Sequence, residues 1–554
     1  MKKYIKNIAA AALGLLVLPT VTGCEDFLDV KPQDKPVLDN FYQNAEQVRM
    51  ATAALYSAYE WDMYAHDAQW KFDMLSGDMF YYYSDEGQFY FGTFGSNNIY
   101  LKQGWEGLYN VIAICNSIIN DMPGLASKVD EADVTQGVAE ARCIRGVAYY
   151  LLSQYWGDVP IVTNGNDMVS GGNFQIPRNT RNSVYKFAER DLQYAAAHLG
   201  DTDSDPARAT RVTALAYLAK LHVTMASHPD RADRAALYAQ AQAEAAEVLE
   251  KSADIKTIPY ATLFDKEANN GPESILAIQC MVYGYGYGNG RNAAFARPSL
   301  ADQAWGAGKG PTISLQECYD QADMRAKWVY MAQGFYYPDI EKSKGGYTYN
   351  IYNEDRGDQP NEMLAHLKKY VLGHSADVEG GIGGAQDAPN NIYLMRLADV
   401  YFTYAEAVMG EADQTSDQDA IDKVNSVRAR AGLAGYGAPM TWEQLITEKR
   451  REFAMEGTNW FDVLRWYYRD AQGALNYLNA MGRQRMYVKP AEKNDLNDPS
   501  KYTLATNKAE GGMYDPGDIT LTLNSFIMPL PQTVLTSSPQ LADAPVEYEF
   551  TEED

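Results

Sequence analysis

The chain has 554 residues, a formal charge of −25, and 46% hydrophobic and 12% aromatic residues. That length exceeds what one compact core usually covers, so several domains or a quasi-linear helical array is expected, and 22% charged residues exclude a globally disordered chain. The acidity excludes nucleic acid and anionic lipid headgroups as natural partners, because both would be repelled.

Lys2, Lys3 and Lys6 precede an apolar run from Ile8 to Leu18, which leads into Val21-Thr22-Gly23-Cys24. This is a secretory signal pattern, and the run is too short to span a bilayer. The ending reads as a bacterial lipobox, so residues 1–23 are expected to be a lipoprotein signal peptide and Cys24 the lipidation site, anchoring the protein to a membrane without spanning it. Cys115, Cys143, Cys280 and Cys318 remain, with no CxxC pair. They read as small buried hydrophobes, and neither a metal site nor a cofactor is expected.

The apolar spacing predicts a helix over 45–59, capped by Asp39 or Asn40. The aromatic block from Trp61 to Phe94 shows no clean period, contains Gly77, Gly87 and Gly92, and reads as loop with short strands. A helix over 101–120 follows, closed by Pro123. The stretch AEARCIRGVAYYLLSQYWGDVP, Ala139 to Pro160, is then a strong helix whose buried face recurs at three- and four-residue steps and which Gly157 and Pro160 end. Beyond a Gly- and Asn-rich connector, helices are predicted over 184–199, 212–226 and 234–249, each rich in Ala, Leu and Tyr. Such serial segments suit tetratricopeptide-type pairing, in which small residues sit where helices approach.

From 258 to 390 the pattern changes to strand-like pieces such as Ser274–Ile278 between Gly/Tyr/Asn-rich stretches, among them Tyr283-Gly284-Tyr285-Gly286-Tyr287-Gly288-Asn289-Gly290. Helices resume over 393–409, 419–431 and 442–466, the last carrying ITEKRREFAMEGTNWFDVLRW. The run Phe526–Leu530 reads as a buried strand broken by prolines, and 547–554 as a frayed acidic end.

Taken together, CEDFLDVKPQ, the Ala139–Pro160 helix, YLMRLADVYFTYAEAV with VNSVRARAGL, ITEKRREFAMEGTNWFDVLRW and FIMPLPQTVLTSSPQL resemble the SusD/RagB family of Bacteroidota outer-membrane lipoproteins, in the order that family has them. Cys143-Ile144 departs from the family's usual aromatic and Leu. The resemblance implies a mainly α fold: a tetratricopeptide-like helical repeat scaffold carrying an irregular, loop-rich lobe with short strands. It implies one SusD-like domain over 24–554, with an N-terminal array (24–257), a ligand-binding lobe (258–390) and C-terminal helices with a closing segment (391–554). It also implies a cell-surface position on the outer membrane, a SusC-like TonB-dependent transporter as partner, and nutrient capture without catalysis.

The charged residues in these motifs, among them Glu140, Arg142, Arg145, Glu448, Glu452 and Arg465, read first as internal ion pairs between stacked helices. No GxSxG, HExxH or Walker loop is present. Asp201, Asp203 and Asp205 mimic the start of a calcium loop, but Pro206 and Val212 stand where Gly and Glu are needed. The ligand candidates are the aromatic loops, because a sugar ring needs a flat apolar partner with amide, carboxylate or guanidinium groups beside it. They are Trp305, Tyr81, Tyr82, Tyr83, Asp85, Tyr283, Tyr285, Tyr287, Asn289 and Arg291. Three successive tyrosines cannot all point inward from an extended chain. The expected function is capture of an oligosaccharide for a SusC-like transporter. A RagB-like peptide-capturing lipoprotein is the alternative, favoured by the acidity if the peptides are cationic; a glycoside hydrolase is a weaker one.

Overall fold

The computed structural model describes residues 44–81, 83–125, 129–165, 175–349, 365–384, 386–483, 487–490, 502–505 and 519–551. The predicted signal segment, the lipidation site Cys24, and Tyr82 lie outside the described residues.

The first predicted helix is interrupted. Helix α1 (Ala45–Ala53) is capped by the Asn44 side chain, and α2 (Ala58–Met63) starts afresh after an extended Ser57. The cause is long-range: Ala58 N–H donates to Gln279 O at 3.0 Å and Gln279 N–H to Tyr56 O at 2.7 Å, which ties this corner to the lobe. The aromatic block, expected as loop and strands, is mostly short helical turns, including α3 (Ser84–Phe91); its strand is only Met79–Phe80. The period was blurred because Trp61, Trp70, Phe72, Phe80, Phe89 and Tyr90 are all buried, on every side of the segment.

The array follows as α4 (Ile99–Asp121), α5 (Glu131–Tyr155), α6 (Arg181–His198), α7 (Arg211–Ala226) and α8 (Arg234–Lys251), each packed on the next. At Gly146 of α5, α6 comes close: a Cβ there would lie 2.9 Å from Leu192 Cγ and 3.1 Å from Ala188 O. The motif charges of α5 are internal. Arg145 donates to both Asp191 carboxylate oxygens, at 2.7 and 2.9 Å, and Glu140 accepts from Arg208 and the Tyr56 hydroxyl, both at 2.9 Å.

In the lobe, β1 (Ser274–Ile278) leads to a short helix, α9 (Arg291–Phe295). It pairs antiparallel with β2 (Ile392–Arg396). Residues 393–396 were expected to open a helix. They form β2 instead, buried throughout, so no alternation marks them. Helix α10 (Leu397–Met409) begins directly afterwards and packs on α8, followed by α11 (Gln418–Arg430). The expected 442–466 helix is two, α12 (Trp442–Phe453) and α13 (Asn459–Arg469). Met455 and Gly457 between them have positive φ, and a Cβ on Gly457 would sit 2.3 Å from Gln69 O. The chain must turn there to pass the Gln69 backbone, which only the folded arrangement reveals.

A buried ion network fastens lobe to array. Arg396 of β2 reaches Glu273 at 2.5 Å, Glu452 at 3.0 Å and Glu456 at 2.7 Å. Arg325 reaches Asp323, Glu448 and Glu452, and Arg430 pairs with Glu273 and Glu452. Burial pushes the Glu452 carboxyl up, but Arg430, Arg396 and Arg325 outweigh it and hold it at about 2. The closing segment also departs from expectation. Residues 526–530 form no strand: Phe526 ends a helical turn, Leu523–Phe526, and Ile527 is exposed. The acidic end is docked as far as Thr551: Ser183 Oγ donates to Glu547 at 2.7 Å, and Tyr548 meets Phe187 edge-on.

Candidate functional site

Two aromatic groups come to the surface, one built by the loop that precedes α9 and one by the loop that follows it. The first is built by the loop between β1 and α9. Its backbone doubles back on itself: Tyr287 N–H donates to Gly284 O at 3.1 Å, and Met281 N–H to Tyr287 O at 3.0 Å. Gly284 and Gly286 take the positive φ values this needs. Asp387 Oδ1 clamps the fold from outside, accepting from Tyr283 N–H at 3.1 Å and Gly284 N–H at 3.2 Å. The tight turn throws the side chains outward, leaving Tyr283 76% and Tyr285 74% exposed. Tyr287 lies flat on Tyr59 of α2, with ring centroids 4.7 Å apart and planes 11° apart, and Tyr283 meets Tyr287 edge-on at 5.0 Å. The bridge from Tyr56 and Ala58 to Gln279 is what brings Tyr59 here. Tyr59 is 51% exposed, and no sequence signal marked it, because the partner loop lies far away in the chain.

The second group is Trp305 with Tyr81 and Tyr83. Trp305 N–H donates to Ala293 O of α9, and Gly306 N–H to Ala296 O, both at 2.9 Å. The indole itself stands 41% exposed. Asp302, three residues earlier, anchors this loop by accepting from Ser375 N–H at 2.7 Å and pairing with His374 Nδ1 at 2.8 Å. Burial pulls His374 down, but Asp302 and the Ser299 carbonyl outweigh it, leaving the imidazole above its ordinary value. Tyr81 and Tyr83 are edge-to-face at 5.5 Å and close over Gly308, where a Cβ would be 2.9 Å from Tyr81 Cε2 and 3.7 Å from Tyr83 Cε2. Below them Lys309 Nζ lies 4.6 Å from the Tyr81 ring centre and 3.4 Å from Glu86. Burial lowers its ammonium to about 8. Asp85 is half-buried and accepts from Gln88 at 3.0 Å.

Asn289 and Arg291 fall beneath this surface and are fully buried. Asn289 donates to Asn390 O and accepts from Arg291 N–H, while Arg291 donates to Gln69 and lies 4.5 Å from the Tyr370 ring centre. These two hold the base of the platform rather than its face. Of the other sequence candidates, Tyr83, Tyr283, Tyr285 and Trp305 are exposed, and Tyr81, Asp85 and Tyr287 are half-buried at the margin.

Each group presents ring faces and edges with hydroxyls beside them. Such a surface suits a flat, hydroxylated ligand. The motif residues Glu140, Arg145, Glu448, Glu452 and Arg465 are buried in ion pairs, half-buried Arg142 pairs with Asp191, and Asp203 of the acidic triplet is taken by Arg49 at 2.6 Å.

Residues 243–546 match the family model described as the SusD family, and residues 26–223 match one described as starch-binding associating with outer membrane. The chain belongs to the SusD family. A SusD-like protein of Bacteroides ovatus is 30% identical over 100% of this chain and 99% of its own length. A second SusD-like protein, from Formosa agariphila, is 26% identical over 84% of this chain and 91% of that one. Among solved structures, one described as a complex with xylogluco-oligosaccharide superposes with a TM-score of 0.79 at 28% identity, covering 91% of this chain and 100% of that one. A SusD-like protein of Bacteroides fragilis superposes with a TM-score of 0.70 at 18% identity, over 91% of this chain and 97% of that one; it supports the fold alone. The mainly helical SusD architecture is thus shared over about nine-tenths of the chain. No helix among the described residues is long and apolar enough to cross a membrane.

Proposed function

We propose that this SusD-family protein is a cell-surface lipoprotein, anchored through Cys24, that captures an oligosaccharide on the Tyr/Trp surface flanking α9 and passes it to a SusC-like TonB-dependent transporter. The observation that carries the reading is the pair of surface aromatic groups, exposed at Tyr59, Tyr283 and Tyr285 beside Tyr287 and at Trp305 and Tyr83 beside Tyr81. Its fixed backbone means that the rings need little ordering on binding. Sugar rings would lay their C–H faces on Trp305 and Tyr285, and the tyrosine hydroxyls would meet hydroxyls at the rim. The binding region is wider than the 258–390 lobe, since Tyr59, Tyr81 and Tyr83 come from the N-terminal array. The structural relative crystallised with a xylogluco-oligosaccharide makes a branched β-glucan the first ligand to try. An open surface of this kind supports a dissociation constant of roughly 1 mM to 1 µM, about −4 to −8 kcal/mol. Weak binding suits release to a transporter, while anchoring beside it keeps the effective concentration high.

Isothermal titration of the folded protein with xylogluco-oligosaccharides, then with other plant and host glycans, tests the capture step; heat from none of them would remove the reading. Affinity purification from native outer membranes tests the partnership, with a TonB-dependent transporter as the expected co-purifying protein. No catalytic step is assigned to the protein.

A further inference from the structure

A cavity of the lobe shares no lining residue with the two aromatic groups. It measures about 570 Å³ and sits between the 257–273 segment and the 339–342 and 372–378 turns of the lobe. That is within the roughly 300–1,000 Å³ of small-molecule sites. Ile258, Pro259, Leu263, Pro272, Leu372 and Val378 form apolar wall.

The charged groups around it are unevenly committed. Lys266 Nζ donates to Glu379 O at 2.8 Å and Lys342 Nζ to Asp377 O at 2.6 Å, so both ammonium groups are engaged with backbone. The Asp377 carboxylate accepts from the N–H groups of Glu341, Lys342 and His374 at 3.0, 2.9 and 3.1 Å. Glu273 is paired with Arg396 and Arg430. Asp265, Glu267 and Asp339 also line the cavity, and none of their carboxylates has a hydrogen bond or ion pair among the described residues. The cavity therefore offers apolar wall plus three carboxylates that accept no hydrogen bond among the described residues, while Lys266, Lys342 and the buried Lys368, which acts on Asp265 and Asp339 and donates to Val371 O at 2.8 Å, already have backbone partners.

We propose that this cavity is a second binding site, for a small organic cation: a primary amine joined to an apolar body. The ammonium would donate to Asp265, with Asp339 and Glu267 completing the negative side, and the body would cover the Ile258–Leu263–Leu372 wall. Burial raises the Asp265 carboxyl to about 6, with Lys368 and Lys342 pulling it down and Asp339 and Glu267 pushing it up. Below that value Asp265 is neutral and the attraction fades. Binding is thus strongest at neutral and mildly alkaline pH and weakens as the solution is acidified through about 6.

The test is calorimetric or ligand-detected NMR titration with tryptamine and with its neutral match tryptophol, on the whole protein. Tryptamine is expected to bind about tenfold or more tightly than tryptophol near pH ~7.5, equivalent to about 1.4 kcal/mol. Acidification to about pH 5 or the variant Asp265→Asn is expected to remove that advantage. Asp265→Asn removes no side-chain hydrogen bond among the described residues, though it takes one negative charge from beside the buried Lys368 ammonium; a thermal melt of the variant checks that it is folded. Thr262→Trp, at an exposed rim position, is expected to block both probes by filling the mouth, and neither variant should alter glycan binding. Absence of tryptamine binding up to ~10 mM, equal affinity for the two probes, an advantage that survives Asp265→Asn, or insensitivity to Thr262→Trp would each overturn the proposal. Because glycan and amine titrations are independent, loss of one reading leaves the other standing.

Discussion

Trp305 has an exposed indole with no side-chain hydrogen bond among the described residues, on a backbone fixed to α9. Trp305→Ala should therefore lower oligosaccharide affinity about tenfold while leaving the melting temperature within error; titration and thermal melts on the same sample decide it, and unchanged affinity would make Trp305 a packing residue. Tyr59 and Tyr287 present one stacked pair. Removing either should cost affinity, and removing both should cost less than the sum, which a double-mutant cycle by calorimetry reads directly. Exposed aromatics in a Gly-punctuated run were legible in the sequence, because Gly cannot supply a core and Tyr tolerates water. What was not legible was the sorting of the polar neighbours. Asn289 and Arg291 follow Tyr287 by only two and four residues, yet both are buried, because the chain dives under its own loop to pair with Ala388.

At the scale of elements, the junction of lobe and scaffold rests on charge in a dry interior. Arg396→Leu would strand Glu273, Glu452 and Glu456 without one of their cations. The expected loss is roughly 3–5 kcal/mol of unfolding free energy, measured by urea titration, with glycan affinity of the surviving folded fraction unchanged. Gly146→Leu attacks a different joint. The added side chain meets Leu192 and the Ala188 carbonyl, so α5 and α6 must part, at a cost of about 1–3 kcal/mol or more. Ala- and Leu-rich helices were predicted nearly to the residue, as α7, buried all round, and α8, buried on one stripe, show. The errors fell where helical period gives way to tertiary pairing: Ser57 captured by Gln279, residues 393–396 captured by β1, and the 455–457 turn forced by Gln69.

For the molecule as a whole, acid and alkali should loosen different contacts. Glu452 is held at about 2 against an ordinary 4.5. A carboxyl lowered on folding stabilises above its unfolded value, and that contribution is lost as pH falls from about 4.5 toward 2. His222 is the opposite case. Burial opposes its charge, but Glu189 and Glu244 on either side outweigh it and raise the imidazole to about 9 from 6.5. A base raised on folding stabilises below its unfolded value, so the His222 contribution is full below about 6.5 and disappears as pH rises through 9. Melting temperatures of His222→Gln should fall furthest below wild type near pH ~6 and converge with it above pH ~9; a constant difference would refute the assignment. The sequence by itself determined the family, the helical array and the existence of tyrosine-rich loops, because periodicity, caps and ordered motifs are local properties that survive without coordinates. Only the tertiary structure decided which of those rings face water, that Tyr59 joins Tyr287, and that a separate cavity is lined by Asp265, Glu267 and Asp339. Those outcomes depend on contacts between segments hundreds of residues apart, and no local pattern encodes which segment will cover which.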